Sequence, residues 1–306
     1  MLKYTIKRLL QLIPMLLILS FIVFMIVRLV PGDPVTLMLG TDISQESYDY
    51  EMERLGLNEP LPVQYFKFLS GAIRGDLGMS LTTRHSVSSE IADRFPKTLL
   101  LALGGTIVGS LIGIIFGIVA AIKHNKLADN IVMVVSLVFV STPSFFLALI
   151  MILVFCLYLG WFPSMGLKSW QSAVMPIMTL GLHAVGFITR TTRSAMLDVI
   201  HQDYIRTSRS RGIPEKVVIY AHALKNAMIP VLTAIGLRFG YLLAGAALVE
   251  TVFTIPGIGR FVVDSVLSRD YPSIQGAVLV IAVTFSLVNT AVDLLYAWVD
   301  PRIKYE

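Results

Sequence analysis

Long apolar runs, separated by shorter polar stretches, dominate the pattern of this chain. Six runs reach the roughly 20 residues that a helix needs to cross a hydrocarbon core of about 30 Å. We place them near residues 9–30, 99–122, 131–158, 173–195, 228–249 and 276–298. In a bilayer such runs must be helical, because a helix satisfies its own backbone hydrogen bonds. The pattern therefore predicts an all-α polytopic membrane protein with six transmembrane helices, the third of them long enough to tilt or to extend past the bilayer.

The composition agrees with a membrane protein. The 306 residues are 55% hydrophobic and only 15% charged, with a mean hydropathy of +0.75, whereas a soluble domain carries about 25% charged residues. The net charge of +5 comes mostly from loops, so it does not indicate a nucleic-acid partner. The single cysteine, Cys156, lies inside an apolar run, which excludes an intrachain disulfide and a cysteine-based metal site. The sequence predicts no cofactor.

The distribution of basic residues predicts the orientation. With six spans, the N-terminus, residues 123–130, residues 190–227 and the C-terminus share one side and carry fourteen Lys and Arg. The loops 160–172 and 250–275 carry three. The positive-inside rule then places both termini on the cytoplasmic side of the membrane. The basic start resembles a signal peptide, but the first apolar run continues to Val30 with no early cleavage site, so we expect a retained helix.

The polar segments suggest three parts: an N-terminal transmembrane helix at 1–30, an external cap region at 31–98, and a five-helix core at 99–306. Within the cap, 46–55 is predicted to be an acidic helix, and 61–69 has its apolar residues on one helical face. Two roles for the cap remain open. It packs against the ends of the membrane helices, or it guides a solute or contacts an external partner.

Signatures of catalysis are missing from the sequence. It contains no GxxxxGK[ST] phosphate loop, no His-Glu-x-x-His metal pair and no legible Ser-His-Asp arrangement. We therefore do not expect the chain itself to be an enzyme.

The polar stretch 196–227 lies between two apolar runs and is predicted to form two short helices bent at Gly212. Glycine adopts positive φ readily and ends helices, Pro214 suits the first position of the next helix, and Glu215 suits its first turn. Such a bend presents a basic surface, made of Arg206, Arg209 and Arg211. It forms a docking surface for a soluble partner, or a loop attracted to anionic lipid.

At these residues the sequence resembles a known family. Tyr204-Ile-Arg-Thr-Ser-Arg-Ser-Arg-Gly212, followed by His222-Ala-Leu-Lys-Asn-Ala-Met-Ile-Pro230, resembles the cytoplasmic EAA loop of ABC-importer permeases. The similar branch comprises the dipeptide, oligopeptide, nickel and glutathione systems. Further landmarks of that branch are Pro31-Gly-Asp-Pro34, Gly75-Asp-Leu-Gly78, Arg190-x-x-Arg193, Glu250-x-Val-Phe253, Pro256-Gly-Ile-Gly259 and Arg269-Asp-Tyr271. The chain departs from the general loop where Arg206, Thr207 and Ser208 replace Glu-Ala-Ala.

The resemblance implies a type I ABC-importer permease, similar to the first of the two permeases in such systems. Its implied partners are a second, related permease, two ATP-binding subunits that hydrolyse ATP, an external solute-binding protein and membrane lipid. It implies import of peptides or peptide-like solutes by alternating access. The residues implied for coupling to the ATPase are Arg206, Thr207, Arg209, Gly212 and Glu215.

Charged and small residues inside the predicted spans are the remaining candidates for a role in the solute pathway or in helix packing. Arg238 lies midway along the fifth run, where a charge is costly and normally faces a pathway or an ionic partner. Both alternatives remain open. The resemblance places Glu250 and Phe253 near an external gate. Glycines spaced four apart, Gly109, Gly113 and Gly117, predict close helix packing. An ion-coupled secondary transporter is the alternative function, although its only intramembrane acid is Asp293.

Overall fold

The computed structural model describes residues 2–29, 34–40 and 44–299, and this part of the chain is almost entirely helical. In chain order its helices are α1 (Leu2–Leu29), α2 (Pro34–Leu39), α3 (Gln45–Arg54), α4 (Leu61–Ile73), α5 (Val87–Ile122), α6 (Leu127–Ser141), α7 (Ser144–Met151), α8 (Trp170–Ile200), α9 (Asp203–Ser210), α10 (Glu215–Val217), α11 (Leu224–Val252), α12 (Ile258–Leu267) and α13 (Tyr271–Val299). Two π-helical segments continue α7 and join α10 to α11, at Ile152–Tyr158 and Val218–Ala223. The prediction of an all-α polytopic protein is confirmed.

Five helical segments are long and apolar enough to span a membrane. They are Leu10–Leu29, Val87–Ile122, Trp170–Ile200, Glu215–Leu243 and Tyr271–Val292. A sixth span is formed if α6 and the helix after it, Ser144–Tyr158, cross together. The predicted number of six spans agrees with the fold when this bent pair is counted as one span, although several helices extend beyond the predicted limits.

The third predicted span, 131–158, is wrong as a single continuous helix. The chain bends by 102° between Ser141 and Ser144. Thr142 is extended, with ψ of 123°, and Pro143 caps the next helix with φ of −57°. Proline removes a backbone donor and disfavours helical geometry in the residue before it. Because the run is apolar on both sides of Pro143, its composition alone predicted one continuous helix.

The fifth predicted span, 228–249, begins much earlier in the structure. Helical geometry runs without a break from Glu215 through the π-helical segment to Val252. The predicted second arm of the bend at Gly212 is thus the beginning of this membrane helix rather than a separate short helix. The apolar face at Val218, Ile219 and Ala223 allows this, because these three residues are buried in the same apolar cluster as buried residues further along the span.

The chain divides into two compact units. The first is built mainly on Leu99–Ile255, and within it the glycines of α5 pack against α8. A Cβ on Gly109 would lie 2.7 Å from the Cβ of Ala184, and one on Gly113 would lie 2.8 Å from the Cβ of Ile188. Real side chains do not approach so closely, so these glycines are required for the observed contact between the two helices. The predicted role of this spacing is confirmed.

The second unit is built on Ile6–Thr98 and Pro256–Ser286. The predicted cap helices are present as α3 and α4. A small core joins the start of α5 to α12 and α13, through Val87, Ile91, Ile258, Phe261 and Ala277. Asp270, which is 2% exposed, accepts hydrogen bonds from the hydroxyl of Ser80 and from the backbone N–H of Leu81. The carboxylate therefore fastens the turn after α4 to the corner between α12 and α13.

Candidate functional site

The predicted bend, which we call the elbow, comprises α9, residues 211–214 and α10. Gly212 adopts φ of +74°, and its N–H donates to the carbonyl of Arg209 at 3.0 Å. A Cβ at this position would meet no heavy atom within 4 Å. Glycine is therefore suited to this site by its backbone conformation, which other residues adopt at a cost, and not by a lack of space.

An ion pair closes the elbow across this glycine. Arg209 Nη2 lies 2.7 Å from Glu215 Oε1, and Nε donates to Oε2 at 3.1 Å. The carboxylate hydrogen bond raises the pKa of Arg209 above its ordinary value. Both side chains remain partly exposed. The sequence identified these two residues as separate candidates, and the structure brings them together in one two-point contact.

Buried side chains anchor the elbow to the membrane-spanning core. Ile205 of α9 is completely buried, as are Val218 and Ala223 on the π-helical segment, and all three belong to one apolar cluster with the long helices. The hydroxyl of Tyr204 accepts a hydrogen bond of 2.7 Å from Asn226 Nδ2 at the start of α11. The elbow is thus anchored through α9 on one side of the bend and, on the other, through the π-helical segment that follows α10.

The outer surface of α9 carries the two remaining predicted coupling residues, Arg206 and Thr207, and Arg211 follows at the end of this helix. All three are exposed. The Thr207 hydroxyl donates to the carbonyl of Asp203 at 3.0 Å, so it is engaged within its own helix. Arg206 makes no side-chain hydrogen bond or ion pair with any described residue. Arg206 and Arg211 are therefore positive groups available to a partner surface.

The structure also contains an ion pair that the sequence analysis did not identify. Arg193 on α8 contacts the buried Asp129 on α6 through two hydrogen bonds of 2.7 Å. The N–H of Asn125 donates to the same carboxylate at 3.0 Å, and His124 Nδ1 lies 3.0 Å from Arg193 Nη2. Asp129 thereby joins the α5–α6 turn to the last turns of α8, which lead directly into the elbow. An acidic residue in the first turn of an apolar run was the available signal.

Arg238 is half-buried on α11 and lies against aromatic rings. Its guanidinium carbon is 4.3 Å from the ring centre of Phe187 and 5.2 Å from that of Tyr241. The ring of His183 stacks on that of Tyr241, with 6.3 Å between the ring centres. Within the described ranges, no carboxylate lies within ion-pairing distance of Arg238. Within the described residues, cation–π contacts thus take the place of an ion pair with another helix, while an ion pair with another subunit stays a prediction.

The two predicted gate residues are enclosed by the protein. Glu250 is 0% exposed and Phe253 is 1% exposed, at the C-terminal end of α11. The carbonyl of Phe253 accepts from Gly166 N at 2.8 Å, and the carbonyl of Glu250 accepts from Ile255 N at 2.8 Å. Both residues thus organise the turn that follows the helix. Their role in a gate stays a prediction.

Comparison with known proteins identifies the family. The profile described as the inner membrane component of binding-protein-dependent transport systems matches residues 113–305, and the N-terminal profile of the same transport systems matches 1–102. The glutathione transport system permease protein GsiC of Escherichia coli (strain K12) is 43% identical over 306 residues, which cover both chains completely. The protein of that name from Salmonella paratyphi A is 44% identical over the same length.

Solved structures show the same fold. The MetNI methionine ABC transporter in an inward-facing conformation matches with a TM-score of 0.60 at 19% identity, covering 69% of this chain and 96% of that chain. An amino acid ABC transporter crystallised with histidines matches with a TM-score of 0.53 at 14% identity, covering 71% and 95%. No residue role is carried over at such identities. The profiles, the full-length relatives and the fold together show that the chain belongs to the family of inner membrane components of binding-protein-dependent transport systems, as a permease of an ABC importer.

Proposed function

We propose that this permease imports small peptides or peptide-like solutes such as glutathione, driven by ATP-binding subunits that dock on the elbow. The observation that carries the coupling proposal is the unbroken helical connection from Glu215 to Val252. A force applied at α9 passes through the Gly212 turn directly into a membrane helix. The full-length relatives named for glutathione transport support the solute class.

The elbow has the properties that a mechanical contact needs. Arg206 and Arg211 offer charge to a partner, whereas the buried Ile205 prevents α9 from moving independently of the core. Arg209 and Glu215 hold the angle of the turn, and Thr207 lies next to Arg206 on the exposed surface of α9. Closure of the ATP-binding subunits would shift α9, and α8 and α11 would tilt with it. This is alternating access by rigid-body movement.

The proposed assembly contains a second, related permease, two ATP-binding subunits and an external solute-binding protein, embedded in membrane lipid. Both termini and the elbow face the cytoplasm, which is supported by the fourteen basic residues on that side. The cap region 31–98 and the turn near Phe253 then face outside. The family assignment favours this ATP-driven importer over the ion-coupled alternative.

Within the membrane, we assign Arg238 to the solute pathway. A charge without an acidic partner in the described chain is expected to face a polar cavity or a solute. Its cation–π contacts hold the guanidinium in a fixed orientation, and a positive group suits the carboxylates of a peptide.

Cysteine labelling and cross-linking test the proposal. In a Cys156→Ser background, which removes the only cysteine, we would introduce Arg206→Cys on the elbow and Tyr50→Cys on α3 as a matched exposed position. A membrane-impermeant maleimide should label Tyr50→Cys in intact cells and Arg206→Cys only after lysis. Arg206→Cys should also cross-link to an ATP-binding subunit. Labelling of Arg206→Cys from outside would overturn the orientation and the docking proposal together.

A further inference from the structure

A cavity with several polar lining residues lies at the C-terminal end of α1, in the unit that does not contain the residues assigned to coupling and to the pathway. Its volume is about 240 Å³, and all of its walls belong to the unit built on Ile6–Thr98 and Pro256–Ser286. The walls come from the last turn of α1, from α4 and the turns on either side of it, and from the first turns of α13. Its polar lining residues are Arg28, Glu59, Gln64, Lys67, Asp76 and Gln275.

A chain of hydrogen bonds fixes the guanidinium group of Arg28 in this cavity. Gln64 Nε2 donates to the carbonyls of Leu57 and Glu59 at 3.2 and 2.8 Å. Its Oε1 accepts from Arg28 Nε at 3.0 Å, and the guanidinium carbon lies 3.5 Å from the ring centre of Phe24. Arg28 is therefore oriented before any ligand arrives. Its Nη2 has no hydrogen-bond partner among the described residues, so this nitrogen remains available.

Gln275 supplies a second donor. The residue is only 4% exposed, and its Nε2 is shielded from solvent with no acceptor in the described part of the chain. A buried amide donor that is left unpaired is costly and uncommon, so an external acceptor is expected at such a position. Arg28 and Gln275 line the same cavity and together offer donors to an oxyanion.

Glu59 supplies the complementary acceptor. Its Oε1 accepts from Lys67 Nζ at 2.5 Å. Its other oxygen, Oε2, is shielded from solvent and has no donor among the described residues. A carboxylate oxygen in this state suits an ammonium group. The cavity therefore combines donors for a negative group with an acceptor for a positive one.

We propose that this cavity binds the head of a small zwitterion, with its oxyanion at Arg28 and Gln275 and its ammonium at Glu59. Two kinds of molecule have such a zwitterionic head. One is a free peptide-like solute, which has a carboxylate and an ammonium, and the other is a lipid with a phosphoethanolamine headgroup. The position of Arg28 in the last turn of a membrane-spanning helix makes both accessible. The site does not depend on ATPase docking at the elbow.

Direct binding tests this site without transport. The probe is radiolabelled glutathione, added to the purified complex in nanodiscs of phosphatidylcholine and phosphatidylglycerol, without ATP and without the external binding protein. Saturable binding is expected in the unmodified protein and should weaken at least about tenfold in Glu59→Gln, which removes the negative charge opposite the ammonium, and in Gln275→Leu, which removes a donor to the oxyanion. Matched controls on the exposed face of α3, Glu46→Gln and Gln45→Leu, should bind normally.

A second experiment distinguishes a bound solute from a bound lipid headgroup. With phosphatidylethanolamine in the nanodiscs, native mass spectrometry should show this lipid retained by the unmodified protein and by Glu46→Gln but lost from Glu59→Gln if a headgroup occupies the cavity. Glutathione binding would then be suppressed by the lipid. The proposal is overturned if neither glutathione nor phosphatidylethanolamine distinguishes Glu59→Gln and Gln275→Leu from their controls. Because neither experiment uses ATP hydrolysis or uptake, that failure would leave the elbow proposal intact.

Discussion

Arg209 and Glu215 face each other across Gly212 and form a two-point ion pair, with distances of 2.7 Å from Nη2 to Oε1 and 3.1 Å from Nε to Oε2. One partner lies in the last turn of α9 and the other in the first turn of α10. The pair therefore links the arm proposed to receive force with the helix that enters the membrane. Exposed pairs contribute only about 0.2–1 kcal/mol to stability, so we expect its importance to lie in geometry.

Charge exchange tests this geometry. Arg209→Glu and Glu215→Arg should each reduce ATP-driven uptake several-fold while leaving the thermal unfolding temperature nearly unchanged, because the pair is partly exposed. The double exchange restores an opposite pair and should recover much of the uptake. Uptake in proteoliposomes and unfolding in detergent are the measurements. A double variant as inactive as the single ones would show that Arg209 acts on a partner subunit and not through Glu215.

Gly212 should be sensitive to replacement by proline. Proline fixes φ near −65°, whereas Gly212 has φ of +74° and donates its N–H to Arg209. Gly212→Pro should abolish uptake but retain membrane insertion, and ATP hydrolysis should no longer respond to the solute-loaded binding protein. Gly160→Pro is the control, because Gly160 also has positive φ and open surroundings but lies between α7 and α8. Normal uptake by Gly212→Pro would contradict the elbow mechanism.

The buried Asp129 should be important for stability. Asp129→Ala leaves Arg193 without its carboxylate, and breaking a buried pair in this way costs about 3–5 kcal/mol. Because Arg193 is 22% exposed at its side chain, we expect the lower end of that range and a clear fall in the unfolding temperature. The control Asp198→Ala, on the exposed side of the same helix as Arg193, should have little effect.

A double replacement separates the charge from the packing. In Asp129→Leu combined with Arg193→Leu, no charge remains buried, and part of the lost stability should return. If the double variant is less stable than Asp129→Ala, the pair contributes through its hydrogen bonds to Asn125 and His124 and not mainly through charge compensation.

The sequence predicted those features that local residue types determine. Gly212 and Pro214 constrain their own backbone, so the elbow could be placed without knowledge of the tertiary structure. The contact between Arg193 and Asp129 could not, because it depends on which helices pack together over 64 positions of separation. The bend at Pro143 was missed because apolar content identified a run but not its continuity. The continuation of α10 into α11 was missed because Lys225 and Asn226 separate the predicted short helix after Gly212 from the apolar run that begins at 228.

Arg238 gives a prediction about the solute. Arg238→Gln removes the positive charge from the proposed pathway and should raise the KM for an anionic peptide such as glutathione more than the KM for a neutral dipeptide. Stimulation of ATP hydrolysis should persist, since the elbow is unchanged. Lys225→Gln, an exposed cation at the start of the same helix, is the control. An equal effect of Arg238→Gln on both solutes would assign the residue to helix packing over Phe187 and Tyr241.

Asp270 should control the order of the turn that follows α4. Its carboxylate accepts from the Ser80 hydroxyl, from Leu81 N at 3.1 Å and from Ser273 N at 3.4 Å. Asp270→Asn replaces one acceptor oxygen by a donor, which should cost about 1–3 kcal/mol because a buried donor then faces donors. Hydrogen exchange at residues 79–83 should accelerate, while the exposed Asp264→Asn should leave it unchanged. Unaltered exchange in Asp270→Asn would mean that the small core around Val87 and Ile258 holds this turn without the carboxylate.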